Sequence, residues 1–166
     1  MHIVKNGDVH VSCPFGLSRR QVEDFISEHR GWIDKARVRM FERQAKQQEF
    51  YDRLPLATRS QKEEARQRAK LLMEPMVLHH AKEMGVKPSA VTYRPMTSRW
   101  GVCKIKDRSI CLSTYLLLLP EQCAEYVVVH ELCHLLEPSH NGRFYKLMDK
   151  YFPDWRDVRK EMRSIV

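Results

Sequence analysis

Residues 126–134 read Tyr-Val-Val-Val-His-Glu-Leu-Cys-His, the most informative segment of the chain. Its second half matches the pattern His-Glu-x-x-His, with the histidines at His130 and His134. Side chains four residues apart lie on the same side of a helix, about one turn from each other, so both imidazoles can reach one metal ion. The apolar run Tyr126–Val129 predicts that the same helix is anchored in a hydrophobic core.

The residue types in this motif suit hydrolysis. Zinc lowers the pKa of a water molecule that it binds, and a nearby carboxylate can accept the proton as that water attacks a carbonyl or phosphoryl centre. Glu131 follows the first histidine directly and is the carboxylate placed for this task. The motif therefore predicts a zinc hydrolase with His130 and His134 as metal ligands and Glu131 as general base.

A third metal ligand is expected downstream of the motif, because a catalytic zinc site usually has three protein ligands and one open position. Pro138 ends the helical pattern, and the pair Asn141-Gly142 suits a tight turn that brings His140 back toward the other two histidines. We predict His140 as the third ligand. The alternatives for this position are three carboxylates, Glu137, Asp149 and Glu161.

The segment Arg99-Trp100-Gly101 is a further candidate part of the site. The guanidinium of Arg99 is suited to stabilise an oxyanion or to bind a phosphate group, and pairing with an acid under the sheet is the alternative. Trp100 is expected to pack in the core. Gly101 is expected to permit a bulge or a close approach of the backbone to another group.

Helices and strands are predicted in separate blocks along the chain, which indicates an α+β fold rather than alternating βαβ units. Two long helices are expected before the sheet, with capping boxes that begin at Ser18 and at Ser60. The apolar spacing of the first continues to Met40, and Gly85 ends the second. We divide the chain into an N-terminal hairpin at residues 1–16, a helical segment at 17–88 and a catalytic region at 89–166, expected to form one compact unit.

The catalytic region predicts a short sheet followed by three helices. Its strands are expected around Val91–Tyr93, Val102–Lys106 and Ser109–Ser113, and the last two form a hairpin in which Cys103 faces Cys111. These two thiols are interpreted as reduced core residues rather than as a second metal pair. The strand Ser109–Ser113 is the expected place for an extended substrate to bind by strand addition.

Charge and composition limit the class of protein. The 166 residues carry a formal net charge of +8, and twelve basic against six acidic residues lie between Arg30 and Lys70. This basic segment is a candidate surface for nucleic acid, and a solvated helical face of mixed charge is the alternative.

Five cysteines without a Cys-x-x-Cys pair exclude a disulfide framework and a zinc ribbon. No apolar run approaches the ~18 residues of a membrane span, and no signal peptide is recognised, so we expect a cytoplasmic protein without a membrane partner.

Taken together, these motifs resemble the YgjP-like metallopeptidase family. The motif at His130–His134, followed by His140 and Phe144, is similar to the family pattern H-E-L-x-H-x5-H-x3-F. Thr97–Cys103 resembles the family motif T-R-W-G-S-C, with Ser98 as an additional residue and valine at the usual serine position. The strong resemblance covers about residues 91–155.

The resemblance implies a minimal zincin, in which a small mixed sheet lies over the zinc-binding helix. It implies Zn²⁺ as the cofactor, His130, His134 and His140 as its ligands, and Glu131 as the general base. Family members usually carry another strand or two before the first hairpin, so the N-terminal sheet of this chain is expected to be incomplete.

The leading functional prediction is a zinc metallopeptidase that acts on polypeptides. Some members of the family carry the activity name UTP pyrophosphatase, so nucleotide hydrolysis at the same metal site is the alternative. SprT-like proteases share part of the histidine spacing, which adds a nucleic-acid-associated protease or adaptor as a third possibility. Neither oligomeric state nor physiological substrate is predicted.

Overall fold

The computed structural model describes residues 1–4 and 6–165. It confirms the predicted α+β class. In chain order, the elements are β1 (His2–Ile3), β2 (Val9–His10), α1 (Arg19–Glu28), α2 (Arg30–Asp52), α3 (Arg59–Met84), β3 (Ala90–Arg94), β4 (Gly101–Lys104), β5 (Ser109–Ser113), a 3₁₀-helix (Thr114–Leu118), α4 (Glu121–Cys133), α5 (Gly142–Tyr151) and α6 (Trp155–Ile165). Within the described residues, no helix combines the length and the apolar character needed to cross a membrane.

The chain divides into two compact units, Met1–Glu49 and Phe50–Val166. The division falls inside α2. The spacing of apolar residues along a helix does not reveal such a boundary. It reflects which residues share a face of the helix, and not which other elements that face contacts. The assignment of separate domains to the three sequence segments stays a prediction.

The first unit begins with the predicted hairpin. β1 and β2 are antiparallel, with His2 opposite His10 and Ile3 opposite Val9. The turn contains Gly7 at a φ of +90°, a left-handed conformation that glycine adopts without a steric penalty. The hairpin therefore forms where the Asn-Gly pair predicts it.

The prediction of a single long helix after Ser18 is wrong, because this part of the chain forms two helices, α1 and α2. α1 starts after the capping box of Ser18 and Gln21, as predicted, but it ends at Glu28. His29 caps it: the His29 amide donates to the carbonyl of Phe25, and the ring Nδ1 lies 2.8 Å from the same oxygen. The apolar spacing continues into α2, so the periodicity alone does not show this break.

The second long helix begins two residues earlier than predicted. The N-cap of α3 is Thr58, whose side chain accepts from the amide of Gln61, while the Gln61 side chain accepts from the Thr58 amide. Both this pair and the predicted pair, Ser60 with Glu63, match the capping-box pattern, and the earlier match starts the helix. The predicted end is confirmed, because Gly85 adopts a left-handed conformation with a φ of 65°.

The second unit contains a three-stranded mixed sheet with the order β3-β5-β4. β3 is parallel to β5, and β4 is antiparallel to β5. Cys103 lies opposite Ile110 rather than Cys111, so the predicted cysteine pairing is wrong by one residue. A shift of one residue turns a side chain to the other face of a sheet, so the two thiols do not face each other.

The helix α4 packs against this sheet and is the centre of the core. Its residues Val128, Val129 and Leu132 are fully buried, and β5 contributes Ile110 and Leu112 from the facing side. α4 also contacts α3, α5 and α6. The helix that carries the His-Glu-x-x-His motif is therefore held on all sides. It ends at Cys133, three residues before the predicted end near Leu136.

Candidate metal centre

The three histidines predicted as metal ligands come together in the second unit. His130 belongs to the last turn of α4, His134 is its C-cap, and His140 lies in the connection to α5. One ligand atom from each lies within 4.8 Å of the others, and the Nε2 atoms of His130 and His140 are 3.0 Å apart. Two nitrogen ligands of one tetrahedral zinc ion are about 3.3 Å apart, given Zn–N distances of about 2.0–2.1 Å. The donor set therefore fits such an ion with only small adjustments.

The first turn of α5 holds the third histidine in place. Asn141 is the N-cap of α5, and its side-chain oxygen accepts from the amides of Arg143 and Phe144 at 2.9 and 3.2 Å. This cap starts the helix immediately after His140. The ring of Phe144 is buried, and its centroid lies 4.7–4.9 Å from the centroids of all three imidazoles. Phe144 thus packs against all three imidazoles and provides an apolar surface beside the histidine cluster.

Two of the imidazoles are held in the neutral state that metal binding requires. The Nδ1 atom of His134 lies 3.2 Å from the carbonyl oxygen of Glu137, which can only accept, so Nδ1 carries the proton and Nε2 has a free lone pair. Burial lowers the pKa of His134. Burial and the neighbouring histidines lower the pKa of His130 to about 3.

Glu131 is a buried carboxylate packed against β4. Its side chain approaches the backbone so closely that a Cβ atom on Gly101 would lie 2.6 Å from Oε1 and 2.7 Å from Cγ. The expected close approach at Gly101 is confirmed. Burial raises the pKa of Glu131 to about 7, although a hydrogen bond from the Cys103 backbone and the charge of Arg99 act in the opposite direction. A carboxylate with this pKa can accept and return a proton near neutral pH.

Arg99 is the exposed residue two positions before β4. Its positive charge lowers the pKa of Glu131 and so opposes the effect of burial. The neighbouring Trp100 is half-buried against the core, and its ring meets the Phe50 ring edge-on at 6.2 Å between centroids. A contact between Arg99 and substrate stays a prediction.

The three alternative carboxylates do not join the histidine group. Asp149 accepts hydrogen bonds from the Trp155 indole at 2.8 Å and from Arg156 at 2.6 Å. Glu161 accepts from the side-chain amide of Gln122 at 2.6 Å. The carboxylate of Glu137 is 3.4 Å from the Ser139 amide, and only its backbone carbonyl contacts a histidine.

A cavity of about 250 Å³ beside the cluster involves residues that sequence reasoning did not single out. Tyr126 lies one turn before His130 on α4, and the two ring centroids are 5.9 Å apart. Arg159 of α6 lowers the pKa of His130 through its charge. Tyr126 could have been found from its four-residue spacing to His130, but nothing in the sequence marks Arg159. The cavity is lined by Tyr126, His130, His140, Phe144, Tyr145, Met148, Trp155 and Arg159.

Comparison with known proteins agrees with this arrangement. The family model described as YgjP-like, metallopeptidase domain, matches residues 1–57 and 55–165. The zymogen of the metallopeptidase abylysin from Pyrococcus abyssi has a similar structure, with a TM-score of 0.51 and 24% identity over 55% of this chain and 92% of that chain. The zymogen of the metallopeptidase jannalysin from Methanocaldococcus jannaschii has a TM-score of 0.50 and 19% identity over 57% of this chain and 97% of that chain. No curated protein sequence matches this chain.

Proposed function

Since this chain belongs to the YgjP-like metallopeptidase family, we propose that it is a zinc-dependent peptidase in which Glu131 is the general base. The observation that carries the proposal is the convergence of His130, His134 and His140 on one point, with a buried carboxylate on the same helix. A site with only a structural role needs no such carboxylate, because it performs no proton transfer.

The three imidazoles would hold the zinc ion, which when bound supplies polarisation of the scissile carbonyl and acidification of a water molecule. Glu131 accepts the proton of the attacking water and returns it to the leaving amine. Its raised pKa of about 7 suits both directions of transfer. Arg99 is suited to stabilise negative charge on the carbonyl oxygen, because its own charge already reaches Glu131.

The substrate is proposed to pair with β4. The predicted addition of a substrate strand to Ser109–Ser113 is wrong. This segment is β5, the central strand, and it pairs with β3 on one side and with β4 on the other. In the part of the chain that the structure describes, β4 pairs on one side only. Its residue Gly101 contacts Glu131, so an extended polypeptide added to the free side of β4 would run beside the general base.

The alternative of UTP hydrolysis at the same metal site has less support. A basic cavity of about 640 Å³ is lined by Arg66, Lys70, Arg94 and Lys104, among other residues. It opens on the sheet face that carries Cys111, whereas Gly101 and its partner Leu112 lie on the face toward α4. Phosphate groups bound in this cavity would be separated from the histidines by the sheet. Binding of nucleic acid by the basic segment at residues 30–70 stays a prediction.

The test uses the full-length, zinc-loaded protein and two single variants, Glu131→Gln and Glu137→Gln. Each is incubated with an unfolded casein-like polypeptide and, separately, with UTP, and the zinc content of every sample is measured. We expect Glu131→Gln to keep its zinc and to lose about 10²–10⁴-fold in peptide cleavage, the range typical of a lost general base. Glu137→Gln is the matched control and should retain both zinc and activity.

Each other outcome has a distinct meaning. Peptide cleavage that persists in Glu131→Gln with zinc bound would contradict the proposal. Pyrophosphate release from UTP that depends on Glu131, without peptide cleavage, would establish the nucleotide alternative. Loss of zinc from Glu137→Gln would place that carboxylate in the ligand set.

A further inference from the structure

A second cluster of metal-ligating side chains lies on α3, outside the histidine site of α4. His79, His80 and Glu83 occupy the last two turns of α3, and one ligand atom from each lies within 4.8 Å of the others. Spacings of three and four residues place Glu83 next to both imidazoles on the helix surface. His79 and Glu83 are exposed, whereas His80 is only 5% exposed.

The buried imidazole of His80 has one nitrogen in a hydrogen bond and one without a hydrogen bond. Its Nε2 atom lies 2.8 Å from Oε1 of Glu125 on α4. An ionised carboxylate only accepts hydrogen bonds, so Nε2 carries a proton, and a metal ion would bind through the lone pair of a deprotonated Nδ1. Nδ1 is buried and makes no hydrogen bond within the described residues. A buried polar atom without a partner is costly, so a ligand at this nitrogen would stabilise the fold.

The carboxylate of Glu83 lies near Nδ1 at the spacing of a metal ligand. Oε2 of Glu83 is 3.5 Å from Nδ1 of His80, close to the separation of about 3.3 Å between two ligands of a tetrahedral zinc ion. Glu125 on the opposite nitrogen of His80 provides the carboxylate that orients a metal-bound histidine in many zinc sites. Two imidazoles and one carboxylate suit Zn²⁺ and related divalent ions.

We propose that His79, His80 and Glu83 form a second site for a divalent transition metal ion such as Zn²⁺, with Glu125 as the residue that positions His80. Two of the three ligands lie on the surface, so the remaining coordination position faces solvent. Because Glu125 belongs to α4, an ion bound here strengthens the connection between α3 and α4. Binding to the folded state alone raises its stability in proportion to the logarithm of the free metal concentration.

The test measures bound metal by equilibrium dialysis of the full-length protein against Zn²⁺. Wild type should bind two equivalents. The double variant His130→Gln/His134→Gln should keep one, since it removes only the site of α4. Adding His79→Gln or Glu83→Gln to this background should remove the remaining equivalent, and both substituted residues are exposed, so the fold is preserved. Glu125→Gln should keep the stoichiometry and lower the affinity by about 10–100-fold, as for other residues that orient a ligand.

Two matched controls accompany these variants. Glu64→Gln removes another exposed carboxylate of α3, and His10→Gln removes a histidine of the β1–β2 hairpin, where His2 and His10 are cross-strand partners. Neither should change the stoichiometry.

Three outcomes would overturn the proposal: no metal in the double variant, unchanged binding after His79→Gln and Glu83→Gln, or loss of the second equivalent in His10→Gln. None of the readouts involves peptide cleavage, so the result is independent of the proposed peptidase function. The same dialysis with single His79→Gln and Glu83→Gln variants of the otherwise native chain, expected to fall from two equivalents to one, decides the question if the double variant is poorly folded.

Discussion

At the scale of single residues, the properties of Glu131 depend on the missing side chain at Gly101. The carboxylate occupies the space that a Cβ atom at position 101 would fill, and it is 5% exposed. This packing removes water from the carboxylate and raises its pKa to about 7. A glycine on β4 is therefore part of what sets the pKa of the carboxylate on α4.

The substitution Gly101→Ala tests this dependence. The added methyl group would displace Glu131, and we expect a loss of about 1–3 kcal/mol in the free energy of unfolding. Misplacement of the base should lower peptide cleavage by about 10²-fold or more with zinc retained. Thermal unfolding, zinc content and cleavage rate check the three effects. The control is Gly31→Ala, a helical position with open space around it, where alanine should stabilise by up to ~1 kcal/mol.

The raised pKa of Glu131 also predicts how the stability of the metal-free protein changes with pH. The pKa is raised from 4.5 to about 7, so between these values the unfolded chain loses a proton that the folded protein keeps. Stability due to this group is therefore complete below pH 4.5 and falls as the pH rises toward 7, by about 3 kcal/mol at 1.36 kcal/mol per pKa unit.

Urea unfolding of the metal-free protein at a series of pH values measures this change. Glu131→Gln should be more stable than wild type above pH 7 and should lack this fall between pH 4.5 and 7. Exposed Glu64 provides the control, because Glu64→Gln should leave the pH profile unchanged. A wild-type profile identical to that of Glu131→Gln would show that the buried carboxylate keeps an ordinary pKa.

At the level of secondary-structure elements, the end of α4 and the start of α5 set the positions of His134 and His140. α4 ends at Cys133, so His134 stands at its C-cap, where Glu137 can accept from its ring. α5 begins at the Asn141 cap, immediately after His140. The two histidines thus flank a short connection of fixed length, which brings His140 back to the preceding helix.

The cap of α3 gives a direct test of a helix boundary. Thr58→Ala removes the acceptor for the Gln61 amide and should cost about 1 kcal/mol. Ser60→Ala, at the cap expected from the sequence, should be nearly neutral, because Ser60 lies inside the helix. Chemical denaturation of both variants measures the difference. An equal loss in both, or a larger loss in Ser60→Ala, would place the helix start at the later position.

At the level of the whole molecule, the residues of the candidate metal centre all lie in one of the two compact units. The buried hydrophobic cluster around α4 consists of residues at or after Phe50. The same unit, Phe50–Val166, contains the histidine site, Glu131, the mixed sheet and the second candidate metal cluster. A region with its own core is expected to fold independently.

A truncated chain of residues 50–166 should therefore fold cooperatively and bind zinc. Circular dichroism should show a single thermal transition, and equilibrium dialysis should show the zinc stoichiometry of the intact protein. Residues 1–49 alone serve as the comparison, and they should show no cooperative transition, since Ile33 is the only described hydrophobic side chain among them that is buried. A truncated chain that stays unfolded with zinc would show that residues 1–49 are needed for the fold.

Sequence reasoning was sufficient to predict the α+β class, the hairpin turn at Asn6-Gly7 and the grouping of His130, Glu131 and His134 at the end of one helix. These features are local: they depend on turn chemistry, on capping residues and on spacings of three or four residues within one element. The ends of helices were less certain, because neighbouring stretches offered equivalent caps, as at Thr58 and Ser60.

Contacts between groups that are distant along the chain became known from the folded structure. It placed His140 beside the other histidines, turned Asp149 and Glu161 to other partners, and put Ser109–Ser113 in the centre of the sheet. It also paired His80 with Glu125, forty-five residues away. Periodicity records neighbours along one helix or strand, whereas contacts between elements depend on how their faces pack. That packing sets both the burial of Glu131 and which side chains join the histidine group.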